Sequence, residues 1–483
     1  MGEASARRPR ALPGWGKVAA SGGAGDCLGV ESGMVGDGLI SRLIIITRSQ
    51  EGPCCAVLDC GSQRAAVMPT FLTVFCLLLL APAGESRDLV WHVEDAEGRV
   101  LTSRQADRPL NPASLVKLAT SLWALERLGT EYRFSTHFTR VGADLVVRGG
   151  GDPDFQPENA FLVAAALNRA GIERIGGRLL VDDLFWIGWE QGRGLNGQDP
   201  DRRAEEMAGR LRRAFDPDLW DDSTRKAWMG LAKRNGLDSS RPPRLVIAGG
   251  TGRASPGSEM TKAESAGPVP RANVLVVHRS RPLPGTLKRF NAWSNNDINR
   301  LEATLGGPAD LQNFLVGRLE HEAGASLHVE TSSGLGKNRL TPRLAVRLLR
   351  DLRDTLGRHG LELSHVLPVA GCDAGTLKSF PALGRGGRRG SLVAKTGSLT
   401  TTDGGITLLA GSVTTAAGTR LFCVAAPQSG PDLAASRARE ERWLLDLMAA
   451  AGGALGAPCG TPIPQAGEDV ELEELAASAA LGS

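Results

Sequence analysis

Apolar residues recur at helical spacing in two long segments of the chain, residues 115–128 and 344–356. Because residues three and four apart share one face of a helix, both segments are predicted to be helices that bury an apolar side. The first is expected to begin at Asn111, a favoured N-cap, and to end at Gly129. A third helix is predicted over residues 432–450.

Short runs rich in β-branched and apolar residues, bounded by turn residues, predict strands near both ends of the same region. Two precede the first helix, at residues 89–93 and 100–102, and three lie at residues 391–395, 406–413 and 421–425. They most simply form one antiparallel five-stranded sheet with helices packed on it. The predicted fold class is therefore α+β.

A chain of 483 residues exceeds what one hydrophobic core usually holds. Residues 151–275 carry strand and helix signals of their own and are predicted to be an inserted domain, flanked by residues 84–150 and 276–458 of the main domain. The last segment, residues 459–483, has five acidic residues and no basic ones. It is predicted to be a solvated acidic tail.

An unbroken apolar run at residues 71–80, followed by small residues, predicts a secretory signal at residues 68–83. The run is too short to span a bilayer, so no stable transmembrane anchor is expected. We therefore expect export to the periplasm or another extracytoplasmic space. Residues 1–67 are predicted to be an incorrectly assigned start or a disordered leader; an anchor around residues 39–46 is the alternative.

Composition narrows the function. A net charge of +3 and a single tyrosine make nucleic acid an unlikely partner. Beyond residue 83 only Cys372, Cys423 and Cys459 remain, too few for a disulfide framework or a metal site. One bridge could form and none is required. The histidines show no metal-ligand spacing, which gives a zinc hydrolase little support.

Ser114 and Lys117 are the strongest candidates for covalent chemistry. Residues three apart share a helix face, which places the hydroxyl beside the amine. Burial would lower the pKa of that lysine and let it accept the serine proton. Ser223 and Lys226 have the same spacing but lie among charged residues, where nothing would desolvate the lysine.

Two later motifs, Ser294-x-Asn296 and Lys395-Thr396-Gly397-Ser398, are weak when taken alone. In this order, with Ser114-x-x-Lys117, they resemble the three motifs of penicillin-binding proteins and serine β-lactamases. The long gap after the first motif resembles the class C D-alanyl-D-alanine carboxypeptidase and endopeptidase family, as do further stretches at residues 148–153, 176–182, 333–335 and 367–371.

The resemblance implies acyl transfer from peptidoglycan stem peptides that end in D-Ala-D-Ala, with β-lactams acylating the same serine. It also implies that no metal or organic cofactor is required. It assigns roles as follows: Ser114 is the nucleophile, Lys117 the general base, Ser294 the proton relay, Asn296 a ligand of the substrate amide, Lys395 and Thr396 ligands of the terminal carboxylate, and the N–H groups of Ser114 and Ser398 the oxyanion hole. Gly397 would allow a close approach of the ligand backbone.

The chain also departs from the family pattern. Lys337 stands where the family often has an arginine that binds the stem-peptide side chain, and Asn299-Arg300 replaces an Ala-Glu pair. On the resemblance, Lys337 and Asp182 are further candidates for substrate binding. The alternatives are a β-lactamase or D-aminopeptidase with the same site, or a wall-binding protein that has lost turnover. Oligomeric state is not predicted.

Overall fold

The computed structural model of the chain describes residues 27–35, 38–49, 52–58, 89–190, 199–254, 273–319 and 326–475. Contacts divide the chain into two compact units, Met1–Gly84 and Glu85–Ser483.

The described residues of the first unit form three strands, β1 (Cys27–Val35), β2 (Gly38–Ser49) and β3 (Gly52–Leu58). They pair antiparallel in the order β1-β2-β3. This differs from the predicted disordered leader, and the segment considered as an alternative anchor falls within β2. The predicted signal peptide, residues 68–83, lies outside the described residues.

The described part of the second unit contains the remaining elements. Its helices are α1 (Val116–Leu128), α2 (Pro157–Arg169), α3 (Pro200–Phe215), α4 (Asp222–Asn235), α5 (Leu283–Trp293), α6 (Glu302–Leu305), α7 (Pro308–Leu319), α8 (Pro342–Gly357) and α9 (Leu433–Ala450). Its strands are β4 (Val90–Asp95), β5 (Val100–Arg104), β6 (Ser135–Val141), β7 (Asp144–Arg148), β8 (Arg174–Ile175), β9 (Leu179–Val181), β10 (Val246–Ile247), β11 (Thr251–Arg253), β12 (Val274–Arg279), β13 (Leu392–Leu399), β14 (Ile406–Thr415), β15 (Gly418–Pro427) and β16 (Glu471–Glu474).

The predicted five-stranded sheet is confirmed, with the strand order β13-β14-β15-β4-β5. Each neighbouring pair is antiparallel, so the first two strands and the last three of this domain join into one sheet. The α+β fold class is therefore confirmed. β13 forms one edge of the sheet. Residues 368–370 hydrogen-bond to the outer side of its first half, at Leu392 and Ala394, so any space for a ligand lies along its second half.

Helices cover both faces of this sheet. Successive residues of β14, such as Leu408 and Leu409, belong to two separate buried clusters. The first cluster includes leucines of α1 and α8, whereas the second includes Leu444 of α9. Because successive side chains of a strand point to opposite faces, α9 packs on the face opposite to α1 and α8. The apolar stripe predicted for α8 is buried as expected.

A second, six-stranded sheet has the order β11-β9-β7-β6-β12-β16. Residues of α2, α3 and α4 share its buried core. β6 and β7 belong to this sheet, although the sequence assigned residues 84–150 to the main domain. β6 pairs antiparallel with both β7 and β12, which places these strands in the second sheet and not in the first.

The acidic tail is only partly the solvated segment that the sequence predicted. Its residues Glu471–Glu474 form β16 and pair antiparallel with β12. Arg279 and Arg169 form ion pairs with Glu473 and Glu474 at 2.7 and 2.5 Å. These basic partners lie far away in the chain and neutralise the acidic run, so it can join the sheet edge.

Cys372 and Cys459 form a disulfide between segments 87 residues apart, and Cys423 is buried as a free thiol. Among the described helices, none combines the length and the apolar character needed to cross a membrane.

Candidate active site

The Ser114 hydroxyl lies where the sequence predicted, next to the amine of Lys117. Ser114 is in a one-turn 3-10 helix, Ala113–Leu115, and α1 begins directly after it at Val116. Lys117 Nζ lies 3.0 Å from Ser114 Oγ. The serine is half-buried, so its hydroxyl remains within reach of a ligand.

Lys117 is fully buried and contacts three polar atoms. Its Nζ lies 3.0 Å from Ser114 Oγ, 2.9 Å from Asn296 Oδ1 and 2.6 Å from the Ser333 carbonyl oxygen. The last two atoms only accept hydrogen bonds, so a neutral amine satisfies both and keeps its lone pair for the serine O–H. Burial, and secondarily the charge of Lys395, holds the pKa of Lys117 well below that of an ordinary lysine.

The backbone around the serine is shaped by close contacts. Ala113 has a φ of +47°, and its N–H donates to Asn111 Oδ1 at 3.1 Å. A Cβ atom on Gly334 would lie 1.8 Å from the Ala113 carbonyl oxygen, and one on Gly397 would lie 2.9 Å from that of Pro112. Both glycines are therefore needed for these segments to meet. The close approach at Gly397 is to the chain's own backbone, whereas the sequence predicted an approach by a ligand, which stays a prediction.

The second motif follows α5. Ser294 ends this helix in the left-handed conformation, with a φ of +52°. The Asn295 side chain then accepts a hydrogen bond from the N–H of Asp297 at 2.8 Å and so stabilises the turn. This turn directs Ser294 to Lys395 and Asn296 to Lys117. The loop thus joins the other two motifs.

Lys395 is fully buried on β13. Its Nζ donates to Ser294 Oγ at 2.9 Å and to the carbonyl oxygen of Thr396 at 2.7 Å. Burial lowers its pKa to about 7. The Lys395 amine is therefore held against Ser294, and with this pKa it is only partly protonated at neutral pH.

Two hydroxyl groups follow on the same strand. Thr396 Oγ1 donates to Thr376 Oγ1 at 2.7 Å, and Ser398 Oγ accepts a hydrogen bond from the Arg437 guanidinium at 3.2 Å. Sequence reasoning did not select Thr376 or Arg437, because each comes from a segment with no motif of its own. Ser333 lies in a stretch that resembles the family, but the resemblance assigns no role to its carbonyl, which contacts Lys117.

Within the described residues, the side chains of the remaining two candidates form no hydrogen bond or ion pair with this cluster. Lys337 is exposed, and its backbone N–H donates to Glu330 at 2.5 Å. The Asp182 carboxylate accepts from the N–H groups of Gly149 and Leu184 at 3.0 and 3.1 Å. These bonds hold a turn of the second sheet, and burial raises the pKa of Asp182 to about 6.

Arg300, which departs from the family pattern, is buried behind the second motif. It donates to the carbonyl oxygens of Pro153 and Gly188 and lies 3.8 Å from the Asp297 carboxylate. The arginine therefore connects the loop of Ser294 to the second sheet. In the described part of the chain, no cluster of three or more acidic, histidine or cysteine side chains could hold a metal ion.

Comparison with known proteins supports the same family. The model of the D-Ala-D-Ala carboxypeptidase 3 (S13) peptidase family matches residues 84–203 and 258–450. A D-alanyl-D-alanine carboxypeptidase from Actinomadura sp. (strain R39) is 34% identical over 102 residues. That match spans 20% of this chain and about a fifth (19%) of the relative.

Solved structures with the same fold include a predatory peptidoglycan endopeptidase from Bdellovibrio bacteriovorus, 24% identical with a TM-score of 0.62, over 76% of this chain and 94% of the other. Penicillin-binding protein 4 from Haemophilus influenzae is 18% identical with a TM-score of 0.51, over 78% and 99%. Both confirm the predicted transpeptidase-like fold.

Proposed function

Because the chain belongs to the D-Ala-D-Ala carboxypeptidase 3 (S13) family, we propose that it is an exported serine D-Ala-D-Ala carboxypeptidase or endopeptidase of peptidoglycan stem peptides. The observation that carries the proposal is the burial of Lys117 between Ser114 Oγ and two atoms that only accept hydrogen bonds. A lysine in this position is a base for the serine rather than a surface cation.

In the acylation step, Ser114 Oγ attacks the carbonyl carbon of the penultimate D-alanine while Lys117 takes the hydroxyl proton. The C–N bond then breaks, and the proton that Lys117 took passes through Ser294, which lies beside Lys395, to the leaving amine. The product is an ester between Ser114 and the shortened peptide. In the second half of the reaction water attacks this ester, Lys117 accepts a proton from the water, and Ser114 Oγ takes up that proton as its bond to the acyl carbon breaks.

Negative charge develops on the carbonyl oxygen during both steps. The backbone N–H groups of Ser114 and Ser398 would bind this oxygen, each contributing about 3 kcal/mol to the lowering of the barrier. The close approach at Gly397 brings the two segments together. Asn296 holds Lys117 through Oδ1 and can donate from its Nδ2 to the substrate amide.

Thr396 and Lys395 are proposed to recognise the terminal carboxylate, the first with its hydroxyl and the second through its positive field. Exposed Lys337 is proposed to contact the stem-peptide side chain. Asp182 is proposed to act at most indirectly, by holding the turn that its carboxylate caps. We infer the same acylation for β-lactams, whose ring amide takes the place of the scissile bond.

We also propose that the protein works outside the cytoplasm, in the periplasm or an equivalent compartment. The disulfide between Cys372 and Cys459 supports this location, because such bonds persist in oxidising compartments. Residues 151–275 are proposed to make up most of an inserted domain, whose six-stranded sheet also includes β6, β7, β16 and most of β12.

Labelling with fluorescent penicillin tests the proposed function. We expect the wild-type protein to form a labelled band that Ser114→Ala abolishes. Ser223→Ala is the matched control, since Ser223 is the exposed serine of the second S-x-x-K sequence and should leave labelling unchanged. An unlabelled wild-type protein, or a label that survives Ser114→Ala, would contradict the proposal.

A further inference from the structure

The buried position of Lys395 raises the question of which cation contacts the terminal carboxylate of the substrate. Lys395 has no exposed surface, and its two hydrogen bonds go to Ser294 Oγ and the carbonyl oxygen of Thr396. An amine in this position can act through Ser294, but it has little freedom to form a direct ion pair with a bound ligand. A second positive group beside β13 would serve that purpose.

Arg437, in the first turns of α9, is such a group. It is half-buried, and its guanidinium donates to Ser398 Oγ at 3.2 Å. No ion pair links Arg437 to a carboxylate within the parts of the chain that the structure describes. Most of its donors therefore remain available to a ligand that carries its own carboxylate.

Arg437 lies on the face of β13 that carries the side chains of Thr396 and Ser398. Side chains two residues apart on a strand share a face, so Thr396 and Ser398 point together and Lys395 and Gly397 point the other way. Arg437 meets the first of these faces. Because β13 is an edge strand, a peptide carboxylate bound by the two hydroxyls would lie beside this guanidinium.

The neighbouring carboxyl group of Glu440 does not cancel the charge. It is fully buried, and its Oε1 accepts a hydrogen bond from Thr407 at 2.7 Å. Burial raises the pKa of Glu440 to about 8, so the group is mainly neutral at pH 7. The positive charge of Arg437 consequently remains available to a ligand.

We propose that Arg437 is the cation that binds the C-terminal carboxylate of the stem peptide, together with the hydroxyls of Thr396 and Ser398. The same group would bind the carboxylate of a penicillin. A planar guanidinium can donate two parallel hydrogen bonds to a carboxylate, which a lysine amine cannot do. This inference rests on the proposed function and makes Arg437 a determinant of specificity for free carboxyl ends.

The test compares two substrates that differ only at the end of the chain: a peptide ending in D-Ala-D-Ala with a free carboxylate, and its C-terminal carboxamide. For Arg437→Ala we expect kcat/KM for the free acid to fall roughly 10- to 100-fold. The carboxamide should change about twofold or less, so the preference for the acid is lost. Arg442→Ala, which removes an exposed arginine of the same helix, should leave both values unchanged.

Acylation by benzylpenicillin and by its methyl ester gives a second measurement of the same preference. Arg437→Gln, which keeps a polar side chain, serves if the alanine variant does not fold. If the Arg437 variants lost equal activity toward the acid and the uncharged ligand, or lost none toward either, the inference would be overturned. The proposed function would still stand as long as the wild-type protein is labelled by penicillin. An unlabelled wild-type protein would contradict both together.

Discussion

Substituting Lys117 by methionine removes the proposed base and keeps a side chain of similar length. The Asn296 and Ser333 oxygen atoms would each lose a hydrogen-bond donor, at a cost of roughly 1–3 kcal/mol per atom. The same change removes a buried amine whose desolvation opposes folding. We therefore expect the free energy of unfolding to change by less than about 3 kcal/mol, because the two effects oppose each other.

Activity should respond far more strongly than stability. General-base catalysis contributes roughly 100- to 10,000-fold, so we expect the penicillin acylation rate constant of Lys117→Met to fall by this factor. Stopped-flow acylation and thermal melting would measure the two effects on the same sample. Lys117→Arg should be equally inactive, because a guanidinium stays protonated.

The matched control is Lys226→Met, which changes the exposed lysine of the other S-x-x-K sequence and should leave acylation unchanged. The pH dependence provides an independent test. Because Lys117 must be neutral to accept a proton, acylation should weaken as pH falls through its lowered pKa. If either Lys117 variant were acylated at the wild-type rate, the reasoning would be refuted.

Three further predictions concern the support of the site and the fold. Gly334→Ala would force a Cβ to within 1.8 Å of the Ala113 carbonyl oxygen. We therefore expect acylation in the stopped-flow assay to slow at least tenfold, which corresponds to an activation barrier raised by roughly 1.4 kcal/mol or more. An unchanged rate would contradict this. Replacing Cys372 and Cys459 by serine should lower the free energy of unfolding by roughly 2–5 kcal/mol in denaturant titrations, and equal stability would argue against the bridge. Glu440 has a pKa raised from 4.5 to about 8, so the folded protein keeps a proton that the unfolded chain loses. Wild-type stability should therefore fall as pH rises through this window, and Glu440→Gln should flatten the thermal-melting profile; a parallel profile would contradict the assignment.

Local patterns were sufficient to predict the main sheet and its helices. The apolar and β-branched runs at β13, β14 and β15 and the leucine spacing of α8 are each the local signal of one element. The domain boundary was not predictable in the same way. β6 pairs with β12 and β12 with β16, and these pairings join residues far apart in the chain, which no local pattern encodes.

The three motifs were found in the sequence because each holds its key residues within four positions. The partners that set their chemistry come from elsewhere. The Ser333 carbonyl restricts Lys117 from more than two hundred residues away, and Arg437 reaches Ser398 from α9. A single arginine on an amphipathic helix has no distinguishing spacing, so only the folded chain reveals it.

Peptide mapping by mass spectrometry after incubation with benzylpenicillin tests the central claim most directly. The account predicts an adduct of one penicillin on the peptide that contains Ser114, and no adduct on any peptide of Ser114→Ala. An adduct on a different serine, or an unmodified wild-type protein, would contradict it.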